Sequence, residues 1–186
     1  EVGGIPVDSD YVIFVVDTSG SMRAIWDRVT QQIINILTIH PQVKGFQILD
    51  DQGKAILAGY SGKWIPDVPF RRKSVMKLFK GWQSASNSSP VEGVLTALRK
   101  YKKQGHTIAI YVFGDDYTGG SYDSVIADIT KKNRDQKDGK RLAKIHAVGF
   151  PSQYTTDRFA ILMRELTKQN DGTFIALPTY DKNWKP

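Results

Sequence analysis

Asp17, Ser19 and Ser21 alternate in Asp17-Thr18-Ser19-Gly20-Ser21, directly after the apolar run of residues 11–16. Carboxylate and hydroxyl oxygens are hard ligands, the kind that Mg²⁺ or Mn²⁺ prefers. Two more oxygen-rich stretches lie far along the chain, Ser84-Ala85-Ser86-Asn87-Ser88-Ser89 and Asp115-Asp116. A helix cap would use one Ser or Asp to satisfy free amides. Three alternating oxygen groups, with an acid to match them at a distant strand end, point instead to a cation site. Taken alone, Asp115-Asp116 ahead of Gly119-Gly120 reads as a turn.

These loops need elements that bring them together. A β-branched and aromatic run over 11–16 fits a strand buried on both faces, as in parallel sheets. Asp17 then sits at its carboxyl end, where open α/β sheets bind ligands. Met22, Ile25, Trp26, Val29, Ile33, Ile36 and Leu37 recur at helical spacing, predicting one long helix that ends near His40-Pro41. A strand over 45–49 follows, then a turn at Asp50-Asp51-Gln52-Gly53 and an antiparallel hairpin partner over 54–58. Residues 59–69 read as a loop, and 70–80 as a short helix. Ser89-Pro90-Val91-Glu92 reads as a capping box opening the next helix. Strands over 107–113, 142–148 and 173–177 alternate with helices around Tyr122 and over 156–170. The order argues an α/β domain with a doubly wound, Rossmann-like, mostly parallel sheet of about six strands, one antiparallel edge strand, and helices on both faces. Residues 1–10 read as a lead-in or linker, 11–178 as one domain and 179–186 as a C-terminal tail.

Asp-x-Ser-Gly-Ser after a buried first strand closely resembles the metal-ion-dependent adhesion site of von Willebrand factor A domains. The order of elements resembles that fold over residues 11–177. The resemblance implies that Ser19 and Ser21 bind a divalent cation directly, with Asp17 and Asp115 acting largely through water. It also implies a threonine from the second loop, where this chain has Ser86, Asn87, Ser88 and Ser89. Ser89 has the capping task, and counting back from Val94 places Ser88 at the threonine's position. The expected metal set is therefore Asp17, Ser19, Ser21, Ser88 and Asp115, with Ser86 or Ser89, and Asp116, as alternatives. The cofactor implied is Mg²⁺, or Mn²⁺ or Ca²⁺ in its place. The partner implied is a protein whose Asp or Glu carboxylate completes the cation's shell, as in cell adhesion. The resemblance further implies a coupling between this site and the helix over 156–170.

Other readings are weaker. An aspartic protease needs Gly directly after Asp-Thr, where Ser19 intervenes. Phosphatases of the haloacid dehalogenase superfamily need a second acid two residues after the first. Ser19 stands there too, which removes a proton donor worth about 10²–10⁴-fold. No phosphate-cradling Gly loop or nucleophile elbow occurs, so the chain is expected not to be an enzyme. A third reading is a structural domain of the same fold with an empty site and partners bound elsewhere.

With no Cys, thiolate metal sites and disulfides are excluded and the compartment stays open, an extracytoplasmic setting being preferred. The net charge of +7 gathers in Arg71-Arg72-Lys73, Arg99-Lys100 and Lys131-Lys132, read as solvated helix faces without a nucleic-acid motif. No run approaches the roughly 18 apolar residues of a membrane span. The missing initiator Met suggests a module of a larger protein. His40, His106 and His146 are isolated in sequence, and His146 within a strand reads as core. Tyr60, Trp64, Phe70, Trp82, Tyr117 and Phe150 fall in loops; Tyr60, Trp64 and Trp82 are candidates for a recognition surface beside the metal.

Overall fold

The computed structural model describes residues 8–40, 43–103 and 105–179. Residues 1–7 of the expected lead-in and 180–186 of the expected tail lie outside the described residues, as does Pro41. Six strands form one sheet: β1 (Tyr11–Val16), β2 (Gly45–Asp50), β3 (Ile65–Pro66), β4 (Ile108–Gly114), β5 (Lys144–Gly149) and β6 (Phe174–Ala176). Their order is β3-β2-β1-β4-β5-β6, with only β3 antiparallel to its neighbour. The order reverses between β1 and β4, which opens a crevice at the carboxyl ends of those two strands.

Both faces of the sheet are covered, as the apolar runs require. Val12, Phe14 and Val16 of β1 pack on one side with α2 (Trp26–Ile39) and α3 (Pro69–Lys80). Ile13 and Val15 pack on the other with α4 (Val91–Lys100), α5 (Tyr122–Lys132) and α6 (Arg158–Gln169). Every residue of β1 is buried. No helix among the described residues is long and apolar enough to cross a membrane.

The helix expected from Met22 onward is two pieces. A single turn, α1 (Gly20–Arg23), stops at Ala24, and α2 restarts at Trp26 after Ile25 leaves helical geometry (φ −121°, ψ 29°). Met22, Trp26, Val29 and Ile33 still face the core, so the apolar spacing hides the break. Arg23 donates to the Trp82 carbonyl and lies over the Trp26 ring. These contacts give the short turn its own anchorage.

The expected hairpin is only a stub. Asp50 N–H donates to the Lys54 carbonyl, Ile56 N–H to the Ile48 carbonyl, and Leu49 bridges Ala55. The antiparallel edge strand is instead β3, inside the stretch expected to be loop, pairing Phe46 with Ile65. The buried Gln47 amide donates to the Tyr60 and Lys63 carbonyls at 3.0 and 2.9 Å. It thus satisfies backbone that a longer hairpin would have paired. Trp64 packs on Tyr11 (ring centroids 4.6 Å apart), which seats Ile65 beside Phe46.

Not every basic residue lies on a solvated face. Arg72 binds the buried Asp67 carboxylate and the carbonyls of Leu37 and His40, tying α3 to the end of α2.

Candidate metal centre

Strand register decides which side chains meet at the crevice. Val16 pairs with Asp50 on one side and with Phe113 on the other. The next residues, Asp17 and Asp51, step off the carboxyl edge together, with Asp115 just past the end of β4. Asp17 N–H donates to the Phe113 carbonyl at 2.9 Å, which carries the β1–β4 pairing one residue past the strand.

The first loop is wound around Asp17. Its Oδ1 accepts the Ser19 N–H at 2.8 Å, and Ser19 Oγ lies 3.1 Å from Ser21 Oγ. Ser19 occupies the cap position of α1, yet its side chain makes no cap hydrogen bond. The two hydroxyls face each other rather than the helix amides. Thr18 Oγ1 donates to the Ser84 carbonyl at 3.1 Å, which fastens the first loop to the second.

The second loop departs from its expectations. The capping box does not form: Pro90 takes the cap position of α4 without a side-chain hydrogen bond, and Ser89 N–H donates instead to Asn87 Oδ1. Proline in helical geometry there (φ −80°) starts the helix one residue later than the motif needs. Ser88 is in the left-handed region at φ 54°, giving its N–H to Ser86 Oγ and its carbonyl to Thr118 N–H. Ser86 Oγ is the hydroxyl that reaches the acids, 3.1 Å from Asp17 Oδ1 and 2.5 Å from Asp51 Oδ2.

On the third side, Asp115 and Asp116 separate in role. The Ser21 hydroxyl and the Asp17 carboxyl both act on Asp115. Asp116 turns away, accepting from the Thr156 hydroxyl, from Thr156 N–H at 3.1 Å and from Tyr117 N–H at 2.9 Å. Burial works to raise the Asp116 carboxyl, but these donors hold it below the ordinary value.

Electrostatics isolates three acids. Asp17, Asp51 and Asp115 are 3%, 0% and 6% exposed, and each has one buried oxygen without a hydrogen-bond donor: Asp17 Oδ2, Asp51 Oδ1 and Asp115 Oδ1. Burial foremost pushes the Asp115 carboxyl up to about 6; the Ser21 hydroxyl opposes that, and the Asp17 charge adds to it. Burial likewise pushes Asp51 up to about 6, against the Ser86 hydroxyl and with the Asp17 and Asp50 charges. Among the described residues no Lys or Arg forms an ion pair with these three acids. Nor does any group of three His, Cys, Asp or Glu side chains there stand in a metal-holding arrangement. A centre here has to draw on hydroxyls as well as acids.

The structure thus brings Asp17, Ser19, Ser21 and Asp115 to one crevice, whereas Ser88 contributes backbone contacts only. Sequence reasoning passed over Asp51 and set Ser86 behind Ser88. The available signal was a pair of acids closing the second buried strand where a turn needs one. Asp50 serves that turn, accepting from Gln52 and Lys54 N–H at 3.0 and 2.8 Å.

Trp64 packs at the amino end of β1, opposite the crevice, and Trp82, Tyr117 and Phe150 are buried. Tyr60 lies under Arg71 beside β3. Phe70 is exposed, on α3.

No family model matches the chain, and no curated protein matches it in sequence. Among solved structures it is similar to a von Willebrand factor type A protein from Catenulispora acidiphila, with TM-score 0.67 and 9% identity over 92% of this chain and 39% of that one. It is also similar to proximal thread matrix protein 1 from the mussel byssus, with TM-score 0.50 and 11% identity over 91% of this chain and 44% of that one. The chain therefore spans about two fifths of the length of each. The fold is that of a von Willebrand factor A domain.

Proposed function

We propose that this chain is a metal-dependent protein-binding module of the adhesion type, acting by recognition and not by turnover. The observation that carries the reading is the set of unpaired, buried carboxylate oxygens on Asp17 and Asp115, beside the facing hydroxyls of Ser19 and Ser21. Buried anionic oxygens without donors are costly unless a proton or a cation compensates them. The oxygen-only donor set fits Mg²⁺, Mn²⁺ or Ca²⁺.

Asp17, Ser19, Ser21 and Asp115 would hold the ion, with a hydroxyl from the second loop: counting from Val94 selects Ser88, whereas Ser86 Oγ is the one that reaches Asp17. When bound, the cation supplies a positive centre able to accept an Asp or Glu carboxylate from a partner protein. The chain's own part is positional. Asp17 orients Ser19 through its backbone amide, and Thr18 locks the first loop to the second. The domain proposed covers 11–178, with residues 1–10 as a lead-in or linker and 179–186 as a C-terminal tail.

Melting in Mn²⁺ tests the metal. At about 100 times the dissociation constant, a ligand of the native state adds about 3 kcal/mol. For a domain of this size that is a rise of roughly 5–10 °C. Asp17→Asn is expected to abolish the rise, and an unchanged wild-type midpoint overturns the reading. A phage-displayed random peptide library, selected in Mn²⁺ and eluted with EDTA, tests the partner chemistry. Enrichment of a fixed Asp or Glu is expected, and peptides that ignore EDTA or lack an acid count against it.

A further inference from the structure

We propose that the outer face of α3 is a docking surface for a lipid bilayer that carries anionic headgroups. Nothing about this face depends on the metal-binding reading above. Of the helices α2 to α6, only α3 has no acidic residue. The others carry Asp27 in α2, Glu92 in α4, Asp123 and Asp128 in α5, and Glu165 in α6.

Helical spacing sorts the side chains of α3. Val75, Met76 and Phe79 are buried in the core, and Arg72 is turned to Asp67. Phe70, Ser74 and Leu78 form one row along the opposite face, where Phe70 is 71% exposed and Leu78 43%. The exposed Lys73, Lys77 and Lys80 run along one side of that row. Arg71 flanks the other side, its guanidinium 5.9 Å from the Phe70 ring centroid and 5.5 Å from that of Tyr60. Among the described residues none of these four cations forms an ion pair with an acid. The apolar residues of α3 are thus divided between the core and solvent, and a second apolar face calls for a second partner. Pro69 at the first helical position, just after the extended Val68, sets the angle at which Phe70 projects.

The chemistry of the face favours a bilayer over a protein. Its apolar side chains stand out from a convex helix surface, which a bilayer can take in without a preformed groove. Three of its four cations are Lys, a residue depleted at protein interfaces. An ammonium acts as a point charge toward headgroup phosphates and needs no fixed geometry. An apolar centre flanked by cations is the arrangement of a helix lying in the membrane interface. Phe70 and Leu78 can enter below the headgroups while the long Lys stems keep their charges at phosphate level. The crevice opens at the carboxyl edge of the sheet, whereas α3 covers one of its faces. Membrane contact through α3 therefore leaves the crevice open to a partner.

Co-sedimentation with large unilamellar vesicles tests this, in EDTA so that no divalent cation bridges protein and lipid. Wild type is expected to bind phosphatidylcholine vesicles containing about one third phosphatidylglycerol, and to be released by high salt. Pure phosphatidylcholine vesicles are expected not to bind it. One cation at an anionic membrane surface is worth roughly fivefold in partitioning, so Lys73→Ala, Lys77→Ala and Lys80→Ala together should weaken binding by about tenfold or more. Phe70→Ala should weaken it by about threefold or more. Lys100→Ala, Lys102→Ala and Lys131→Ala together remove the same charge from exposed positions at α4 and α5, and should bind within about twofold of wild type. All these side chains are exposed, and circular dichroism checks that each variant is folded. A wild type that ignores the anionic vesicles overturns the proposal. So does a loss in the second triple variant equal to that in the first, or a Phe70→Ala protein that binds like wild type. Binding to polyglutamate without binding to vesicles would give the face to an acidic protein partner and overturn it as well. Melting in Mn²⁺ decides the metal-binding reading separately.

Discussion

Replacing His146 by Asn is expected to make the domain resistant to mild acid. His146 is 1% exposed in β5, its Nδ1 accepts the Thr173 N–H at 3.1 Å, and its ring stacks on Tyr111 at 4.9 Å. Burial foremost, helped by Lys144, pulls its pKa from 6.5 down to about 4. The unfolded chain therefore takes up a proton that the folded chain refuses between those two values. The associated stability is complete above about pH 6.5 and is lost as pH falls toward 4. At about pH 5 the loss is about 2 kcal/mol for this one group. His40, also buried and brought to about 4 by burial and Arg72, adds a comparable loss. Asp51 and Asp115 act in the opposite sense. Their folded pKa of about 6 exceeds the ordinary 3.8, so their cost at neutral pH fades as pH falls through that interval. The acids and His40 are common to wild type and variant, so they cancel in the comparison. Asn keeps an acceptor for Thr173 N–H but has no titration. Urea unfolding at about pH 8 and about pH 5 should show wild type losing about 2 kcal/mol more than His146→Asn. Equal losses in the two proteins would refute the reasoning.

Gly93→Ala is expected to cost about 1–3 kcal/mol and to weaken Mn²⁺ binding, because its Cβ meets Val15 at 2.5 Å and the Asp50 carbonyl at 2.9 Å; urea midpoints and a Mn²⁺ titration check both. At Gly172 a Cβ would fall 1.6 Å from the Ile145 carbonyl oxygen, so Gly172→Ala should lose more than about 3 kcal/mol or fail to fold, as read by circular dichroism. Asp116→Ala removes the acceptor for Thr156 and Tyr117 and should speed amide exchange at those two residues, while leaving Mn²⁺ affinity within about twofold.

The sheet was legible in the chain because its strands are buried on both faces. Residues 11–16 and 108–113 have no polar face to blur the pattern, and the helices between them keep the 3.6-residue period. What escaped detection was set by contacts between distant residues. No Gly or Pro marks the break at Ala24 and Ile25. The choice of Ile65–Pro66 over residues 54–58 as edge strand depends on Gln47 and Trp64, which no local signal connects. In the candidate site, Asp17, Ser19, Ser21 and Asp115 were visible because each lies within five residues of a strand end. The second loop has no such ruler. Pro90 in place of Ser89 at the cap and the left-handed turn at Ser88 shift its register, so counting back from α4 reaches Ser88 while the fold presents Ser86. Asp51 was hidden by Asp50, whose genuine turn role accounted for the pair.

In the proposed function, the crevice between β1 and β4 binds a divalent cation. Anomalous scattering from a crystal soaked in Mn²⁺ tests it most directly. One peak is expected within coordination distance of the Ser19 and Ser21 hydroxyls, on the side facing Asp17 and Asp115. A fully soaked crystal with no peak in that crevice, or with manganese bound only elsewhere, would contradict it.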